Sequence, residues 1–120
     1  MVNKVFVDAD GLLQILVVGD QTQESVREMG EKLGFYVRQL RDEGRPVLVL
    51  DNLLQMGETT SEARGEVARI ARGLDFDRGA MVGDNSPLMR HGTNLMLRAI
   101  GRSNLRFFSN LDSAKRWLLR

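Results

Sequence analysis

The sequence contains no cysteine, which excludes disulfide bonds, thiolate zinc sites and a cysteine nucleophile. No apolar run approaches the roughly 20 residues that cross a bilayer, and the first residues lack the apolar stretch of a secretory signal. Aromatic residues make up only 6% of the chain and do not alternate with basic clusters, as they do in proteins that bind single-stranded nucleic acid. These absences predict a cytoplasmic protein without a transmembrane segment, and they argue against nucleic acid as its partner.

The residues that are present have the balance of one globular domain spanning residues 1–120, with 42% apolar and 28% charged side chains. The charge is distributed unevenly. Residues 1–78 carry 10 basic and 14 acidic side chains, whereas residues 79–120 carry 7 basic and 2 acidic ones. A basic C-terminal third suits an acidic protein, an anionic lipid or RNA, but arginines also commonly cover solvated helix faces.

The N-terminal stretch "KVFVDADGLLQILVVGD" predicts a β-hairpin. Residues 4–8 and 13–19 are rich in strand-forming side chains, and Asp10-Gly11 is a dipeptide that tight antiparallel turns prefer. From residue 22 to residue 42, apolar side chains recur at the spacing of one helix face. This face comprises Val26, Met29, Leu33, Tyr36 or Val37, and Leu40.

Three strand–helix units are predicted after this helix. The strands cover residues 46–51, 78–83 and 105–108, and the first two are continuous apolar runs whose two faces should both be buried. The helices cover residues 60–73, residues 86–100 and the segment after Asn110. Ser86, which precedes Pro87, and Asn110 are expected helix caps, and Thr59 and Glu62 have the spacing of a capping box. The residues of the second of these helices that are expected to face the core are Leu88, His91 or Gly92, Leu95, Met96 and Ala99.

The resulting element order, ββαβαβαβα, indicates an α/β fold. One hairpin followed by three strand–helix units predicts a mixed, largely parallel sheet with helices packed on it.

Two Gly-Asp pairs, Gly19-Asp20 and Gly83-Asp84, each stand between an apolar run and a predicted helix. A helix N-terminus attracts anions, but a carboxylate already placed there would take up the free N–H groups and repel a phosphate. Neither pair belongs to a glycine-rich phosphate-binding pattern. We therefore expect these pairs to act in turns and helix caps.

The short segment with Asp8, Asp10 and Gly11 resembles the Asp-x-Asp-Gly motif of the haloacid-dehalogenase-like phosphatases, and "MVGD" with Asp84 resembles the magnesium-binding motif of that family. The resemblance implies a magnesium-dependent phosphatase in which Asp8 is the nucleophile and Asp10 the acid and base. However, the middle strand ends "LVLDN" without a Ser or Thr, and no lysine lies between Lys32 and Lys115 to stabilise the transition state. A hairpin turn explains the segment better.

The remaining candidate side chains give weak signals. His91 is the only histidine and has no metal-ligand or catalytic-triad spacing around it. Met89 and Met96 are typical of core filler, and they also suit the lining of an adaptable apolar pocket. We predict no cofactor, no metal site and no catalytic residue.

The whole chain resembles the SpoIIAA-like proteins, which are relatives of the STAS domain (sulfate transporter and anti-sigma factor antagonist). The resemblance rests on the element order, on "LDFDRGAMVG", which leads into and includes the predicted strand at residues 78–83, and on the C-terminal stretch "LRFFSNLDSAKRWLL". It implies a SpoIIAA-like fold and a non-enzymatic regulatory or binding module.

The resemblance also implies a place for a phosphorylation switch, because STAS-type anti-sigma antagonists carry a Ser or Thr at the start of the helix after the central strand. The matching residues are Thr59, Thr60 and Ser61, followed by Arg64, although the Asp-Ser-Ser-Gly turn of that family is absent. Phosphorylation there would change the charge of a docking face. The alternative is that these hydroxyls only cap the helix.

The expected partner is a protein that docks around residues 59–64, or a small apolar or anionic ligand bound between helices. A second possible surface would bind a ligand or an anionic partner. Its residues are Arg90, Met96, Arg98 and Arg102. A homodimer is a further possibility, and it would show as an exposed apolar patch on one helix.

Overall fold

The computed structural model describes residues 3–120. Its elements in chain order are β1 (Lys4–Val7), β2 (Leu13–Gln21), α1 (Gln23–Asp42), β3 (Leu48–Thr59), α2 (Ser61–Gly73), β4 (Arg78–Val82), α3 (Pro87–Ile100), β5 (Leu105–Phe108) and α4 (Leu111–Leu119). The five strands form one sheet in sequential order, with β1 antiparallel to β2 and the remaining neighbours parallel. The predicted element order and mixed sheet are confirmed.

The N-terminal hairpin is held by the side chain and backbone of one aspartate. Asp8 Oδ1 accepts the backbone N–H groups of Asp10 and Leu12, at 2.9 and 3.0 Å. Gly11 adopts φ +84°, a left-handed conformation that glycine enters without a Cβ penalty. The predicted hairpin is therefore confirmed, and Asp8 is part of its turn.

The helices divide unevenly between the two faces of the sheet. Ile15, Val49 and Met81 belong to one buried cluster, which also contains the apolar stripe of α1 and residues from α2. Leu50 and Val82 point to the opposite face. There they pack with the buried α4 residues Ala114 and Leu118. Helices α1, α2 and α3 each connect two neighbouring parallel strands, and crossovers of the same hand place them on the same face of the sheet. Helix α4 follows the last strand and packs alone on the second face.

Helix α1 forms as the sequence predicts. Thr22 is its N-cap, and its hydroxyl accepts the backbone N–H of Ser25 while the Ser25 hydroxyl accepts the backbone N–H of Thr22. The fourth apolar position of its stripe is filled by Val37, which is buried, while Tyr36 is only partly buried. The buried stripe is Val26, Met29, Leu33, Val37 and Leu40.

Strand β3 is longer than predicted. The sequence suggested that it ends at residue 51, but β3 continues to Thr59 because β2 also continues, to Gln21, and pairs with it. The register shifts twice between these strands, so that β3 holds an extra residue after Asn52 and another after Met56. Such bulges bend a strand and increase its twist. Strand β4 pairs only as far as Asn52, so the rest of β3 extends beyond the central sheet.

The N-cap of α2 is Thr60, and the predicted capping box of Thr59 and Glu62 is wrong. The Thr60 hydroxyl accepts the backbone N–H of Ala63 at 3.1 Å. The Thr59 residue belongs to β3, and its hydroxyl instead contacts the sulfur of Met56 at 3.6 Å. The extended strand displaces the start of the helix by one residue, which accounts for the error.

Helix α3 begins as predicted, with Ser86 as N-cap and Pro87 in the first turn, but of its expected inward-facing residues only Met96 packs against the core. Leu88 and Leu95 are 83% and 53% exposed. The side chains that face the core lie about 100° away around the helix, the rotation between consecutive residues. They are Met89, Thr93, Met96, Leu97 and Ile100.

The C-terminal unit agrees with the sequence. Asn110 caps α4 by accepting the backbone N–H of Ser113 at 2.8 Å, and Phe108 packs against Trp117 with ring centroids 5.5 Å apart. Over residues 3–120, none of the helices is both long and apolar enough to cross a membrane.

Candidate functional site

All four helices begin at one edge of the sheet, the carboxyl edge of the parallel strands, and each has its own capping side chain. These caps are Thr22, Thr60, Ser86 and Asn110. The prediction that the two Gly-Asp pairs serve as helix caps is therefore wrong in detail. Asp20 lies within β2, and Asp84 binds the backbone N–H of Ser86 at 3.0 Å in a turn before α3.

The acidic residues of the phosphatase hypothesis do not meet. Asp8 lies between β1 and β2, at the amino edge of the parallel strands, whereas Asp84 follows β4 at the carboxyl edge. Burial alone would raise the pKa of Asp8, but hydrogen bonds from Gln14, Leu12 and Asp10 outweigh it and lower the pKa. Within residues 3–120, no group of three or more acidic or histidine side chains is arranged to hold a metal ion. The phosphatase hypothesis has no structural support.

The surface predicted for a phosphorylation switch lies at the start of α2. Ser61 is the first residue of the helix and is exposed. The guanidinium of Arg64 donates to the Ser61 hydroxyl at 3.1 Å and to the carbonyl oxygen of Thr59 at 2.7 Å. The structure therefore brings together Thr59, Ser61 and Arg64, while Thr60 uses its hydroxyl for the cap.

This surface stands on the extension of the sheet formed by β2 and the end of β3. The extension is stabilised where Asp20 Oδ1 accepts the backbone N–H of Glu58 at 2.8 Å. On the side of β3 that faces away from β2, its residues 53–59 pair with no strand of the described chain. Leu54 is 46% exposed there. The start of α2 thus lies at the end of the part of β3 that continues beyond its pairing with β4.

The second predicted surface, on α3, is divided by the structure. Arg90 and Arg98 are exposed, whereas Met96 is partly buried and packs against the core. Arg102 is also partly buried, and its guanidinium donates to the carbonyl oxygens of Ala71 and Leu74 and lies 3.9 Å from the centre of the Phe76 ring. Arg102 therefore links the end of α3 to the end of α2, and only Arg90 and Arg98 are presented to a partner.

One polar residue in the core was not predicted as a site. Asp51 lies in the part of β3 that is flanked by both neighbouring strands, opposite Ile15 of β2 and Met81 of β4, and it lines an apolar cavity. Burial raises its pKa to about 7. The sequence signal was present, because Val49, Asp51 and Leu53 alternate as residues on one face of a strand do, but the signal is visible only if β3 continues past Asp51.

A SpoIIAA-like family model matches residues 12–119, which is nearly the whole chain. The chain belongs to the SpoIIAA-like family. An uncharacterised protein from Shewanella loihica with a SpoIIAA-like fold has a similar structure, with a TM-score of 0.67 and 19% sequence identity, covering 97% of this chain and 91% of that one. This likeness confirms the fold. No curated protein matches the chain.

The segment that the resemblance predicts as a switch follows β3, the central strand of the sheet. Here the central strand is lengthened, so the first helix residue is Ser61 instead of a residue directly after Asp51. The hydroxyl group at that position, and the arginine one turn later, are the features on which a functional argument for this SpoIIAA-like chain can rest.

Proposed function

We propose that the chain is a non-catalytic regulatory module of STAS-like type that binds a protein partner through the surface at the start of α2. The observation that carries this proposal is the position of Ser61, which is the exposed first residue of α2. Its hydroxyl lies 3.1 Å from the guanidinium of Arg64. The end of β3 presents the same surface to the partner, with Leu54 as an exposed apolar contact.

Ser61 is the residue that we propose as the phosphorylation switch, in preference to its two neighbours. The hydroxyl of Thr60 is engaged as the helix cap, and Thr59 is only partly exposed. A phosphate on Ser61 would add a charge of roughly −1.5 to −2 beside the N–H groups of the helix start, where Arg64 can pair with it. Such a change of charge would alter the affinity of the docking face.

The test begins with the protein purified from its own host. Intact mass spectrometry and peptide mapping would locate a phosphate, which we expect on Ser61. The proteins that co-purify with the wild type would then be compared with those of Ser61→Asp, Ser61→Ala, Arg64→Glu and the control Ser103→Asp. Ser103 is an exposed serine in the turn after α3, outside the proposed surface.

We expect one partner whose recovery changes at least fivefold in Ser61→Asp and in Arg64→Glu, and stays at the wild-type level in Ser103→Asp. Partner recovery that is identical in all variants would contradict docking at this surface. A partner that depends on Arg64 but not on the charge at Ser61 would keep the docking surface and reject the switch.

Self-association is a second candidate function, favoured by the exposed face of α3. Leu88 and Leu95 are seven residues apart, so they lie on one side of the helix, and Gly92 lies between them on the same side and is also exposed. Exposed leucines in such a stripe are typical of helix pairing. Light scattering over a range of protein concentrations should show a dimer that is lost in the Leu88→Glu, Leu95→Glu double variant. A wild type that is monomeric at all concentrations would contradict this candidate.

A further inference from the structure

The core contains the carboxyl group of Asp51, which is set among apolar side chains. Asp51 projects from β3 to the face that α1, α2 and α3 cover, together with Val49 and Leu53. Its partners across the sheet, Ile15 and Met81, are apolar. The fold therefore places an acid where the pattern of the strand calls for a leucine or valine.

The carboxyl group of Asp51 borders a cavity of about 70 Å³ between the sheet and the helices. One water needs roughly 10–15 Å³ measured in this way, so the cavity has room for a molecule of a few heavy atoms. Among residues 3–120, Asp51 is the one ionisable residue in its wall. The other wall residues come from the strands, from α1, α2 and the end of α3, and include Ile15, Val26, Met29, Leu33, Ile70 and Met81.

The Asp51 side chain has an unmet hydrogen bond. Asp51 as a whole is half-buried, but its Oδ1 atom is shielded from solvent and has no hydrogen-bond partner within residues 3–120. Leaving such a group unpaired is energetically unfavourable, so its presence calls for an explanation. The raised pKa has the same origin, since burial is its only cause.

We propose that this cavity binds a small apolar molecule with one hydrogen-bond-donating head group, such as a short-chain alcohol or amine, and that Asp51 anchors the head group. The apolar wall accommodates the hydrocarbon part, and Oδ1 of Asp51 accepts the donor. An anionic head group does not fit, because the only charge that the wall can carry is negative. This site lies in the core, apart from the docking surface at α2, so the two proposals stand or fall separately.

The test compares probes of matched size by methyl NMR of the full-length protein. The probes are 1-butanol, its isomer methyl propyl ether, which lacks a donor, and butyrate, which is an anion. The methyl groups of Ile15, Met29 and Met81 report on the cavity. We expect saturable shifts at these methyls with 1-butanol, at least tenfold weaker binding of the ether, and no saturable shift with butyrate.

Two variants identify the role of Asp51. Asp51→Leu keeps the number and branching of the side-chain atoms but removes the acceptor, and it should bind the alcohol and the ether equally. Asp51→Asn keeps an acceptor oxygen, and it should retain the preference for the alcohol, which tests the proposal even if the leucine variant fails to fold. An exposed control, Asp112→Asn, should behave as the wild type.

Two results would overturn the proposal. The first is the absence of saturable shifts at the cavity methyls with 1-butanol, which would mean that the cavity is a packing defect or holds only water. The second is equal binding of the alcohol and the ether by the wild type, which would mean that Asp51 does not anchor a head group.

Discussion

The side chain of Asp20 in β2 is hydrogen-bonded to the backbone of Glu58 in β3, with Oδ1 accepting the N–H at 2.8 Å. The contact fills the place of a strand hydrogen bond at the second bulge of β3. It requires a glycine beside it, because a Cβ atom on Gly57 would overlap Asp20 Oδ1. The pair therefore fixes the end of β3 and, through it, the position of Ser61.

The first prediction concerns Gly57→Ala. The added methyl group should displace the Asp20 carboxylate, break its bond to Glu58 and destabilise the protein by about 1–3 kcal/mol, as overpacking does. Hydrogen exchange at the Glu58 amide should accelerate more than exchange in α1. The matched control is Gly65→Ala in α2, where a Cβ meets no atom within 4 Å. It should stabilise the protein by roughly 0.5–1 kcal/mol through helix propensity, and a destabilisation like that of Gly57→Ala would contradict this account.

The second prediction separates the two threonines at the start of α2. Thr60→Ala should lower the free energy of unfolding by about 1 kcal/mol, because it removes the cap on the Ala63 amide. Thr59→Ala should change it by less than about 0.5 kcal/mol, because its hydroxyl contacts only a methionine sulfur, a weak acceptor. Urea unfolding of both variants measures the difference. A larger loss in Thr59→Ala than in Thr60→Ala would instead support the capping box of Thr59 and Glu62.

The third prediction is a pH dependence that originates in Asp51. Its pKa is raised to about 7 in the folded protein, while in the unfolded chain it should be about 3.9. Between these values the folded state binds more protons, so the stability contributed by this group is fully present below about pH 4 and falls as the pH rises through 7.

Asp51→Asn should lack this pH dependence, and thermal unfolding of the variant and the wild type at several pH values measures the difference. From about pH 5 to about pH 8, the wild type should lose on the order of 2 kcal/mol more stability than the variant, a figure reduced from the full linkage value because Asp51 is only half-buried. Asp112→Asn serves as the control on an exposed carboxylate and should follow the wild type. Parallel pH profiles of wild type and Asp51→Asn would show that the carboxyl is not desolvated.

The fourth prediction tests which side of α3 faces the core. Ile100→Ala should cost about 2–5 kcal/mol, because Ile100 is only 5% exposed. Leu88→Ser should change stability by less than about 0.5 kcal/mol, because Leu88 is 83% exposed. Both are measured by urea unfolding at a protein concentration below any dimerisation. A large loss in Leu88→Ser would mean that this side chain is buried after all.

The order of elements could be predicted from the sequence because each depends on local chemistry. The hairpin follows from the turn at Asp10-Gly11, and α1 follows from a regular apolar stripe. The SpoIIAA-like identity was likewise predictable, since element order and the C-terminal pattern extend over most of the chain.

The errors arose where an element depends on a distant partner. Residues 52–59 are mostly polar and do not alternate between polar and apolar side chains, so they carry no clear strand pattern. They form a strand because β2, which precedes α1 in the chain, pairs with them. The inward face of α3 was predicted correctly only at Met96, because Leu88 and Leu95 have the same apolar character as buried leucines. Only the packing of the helix on the sheet decides which of two apolar stripes is covered.

The sequence by itself determined the strand–helix order, the helix caps at Ser86 and Asn110, and the family, because these depend on residues close together in the chain. Tertiary structure alone decided that Asp8 and Asp84 lie at opposite edges of the sheet, that Ser61 stands beside Arg64 at the start of α2, and that Asp51 faces an apolar cavity. The physical reason is that strand pairing and helix packing bring together residues far apart in sequence, and the environment of a side chain exists only once they have done so.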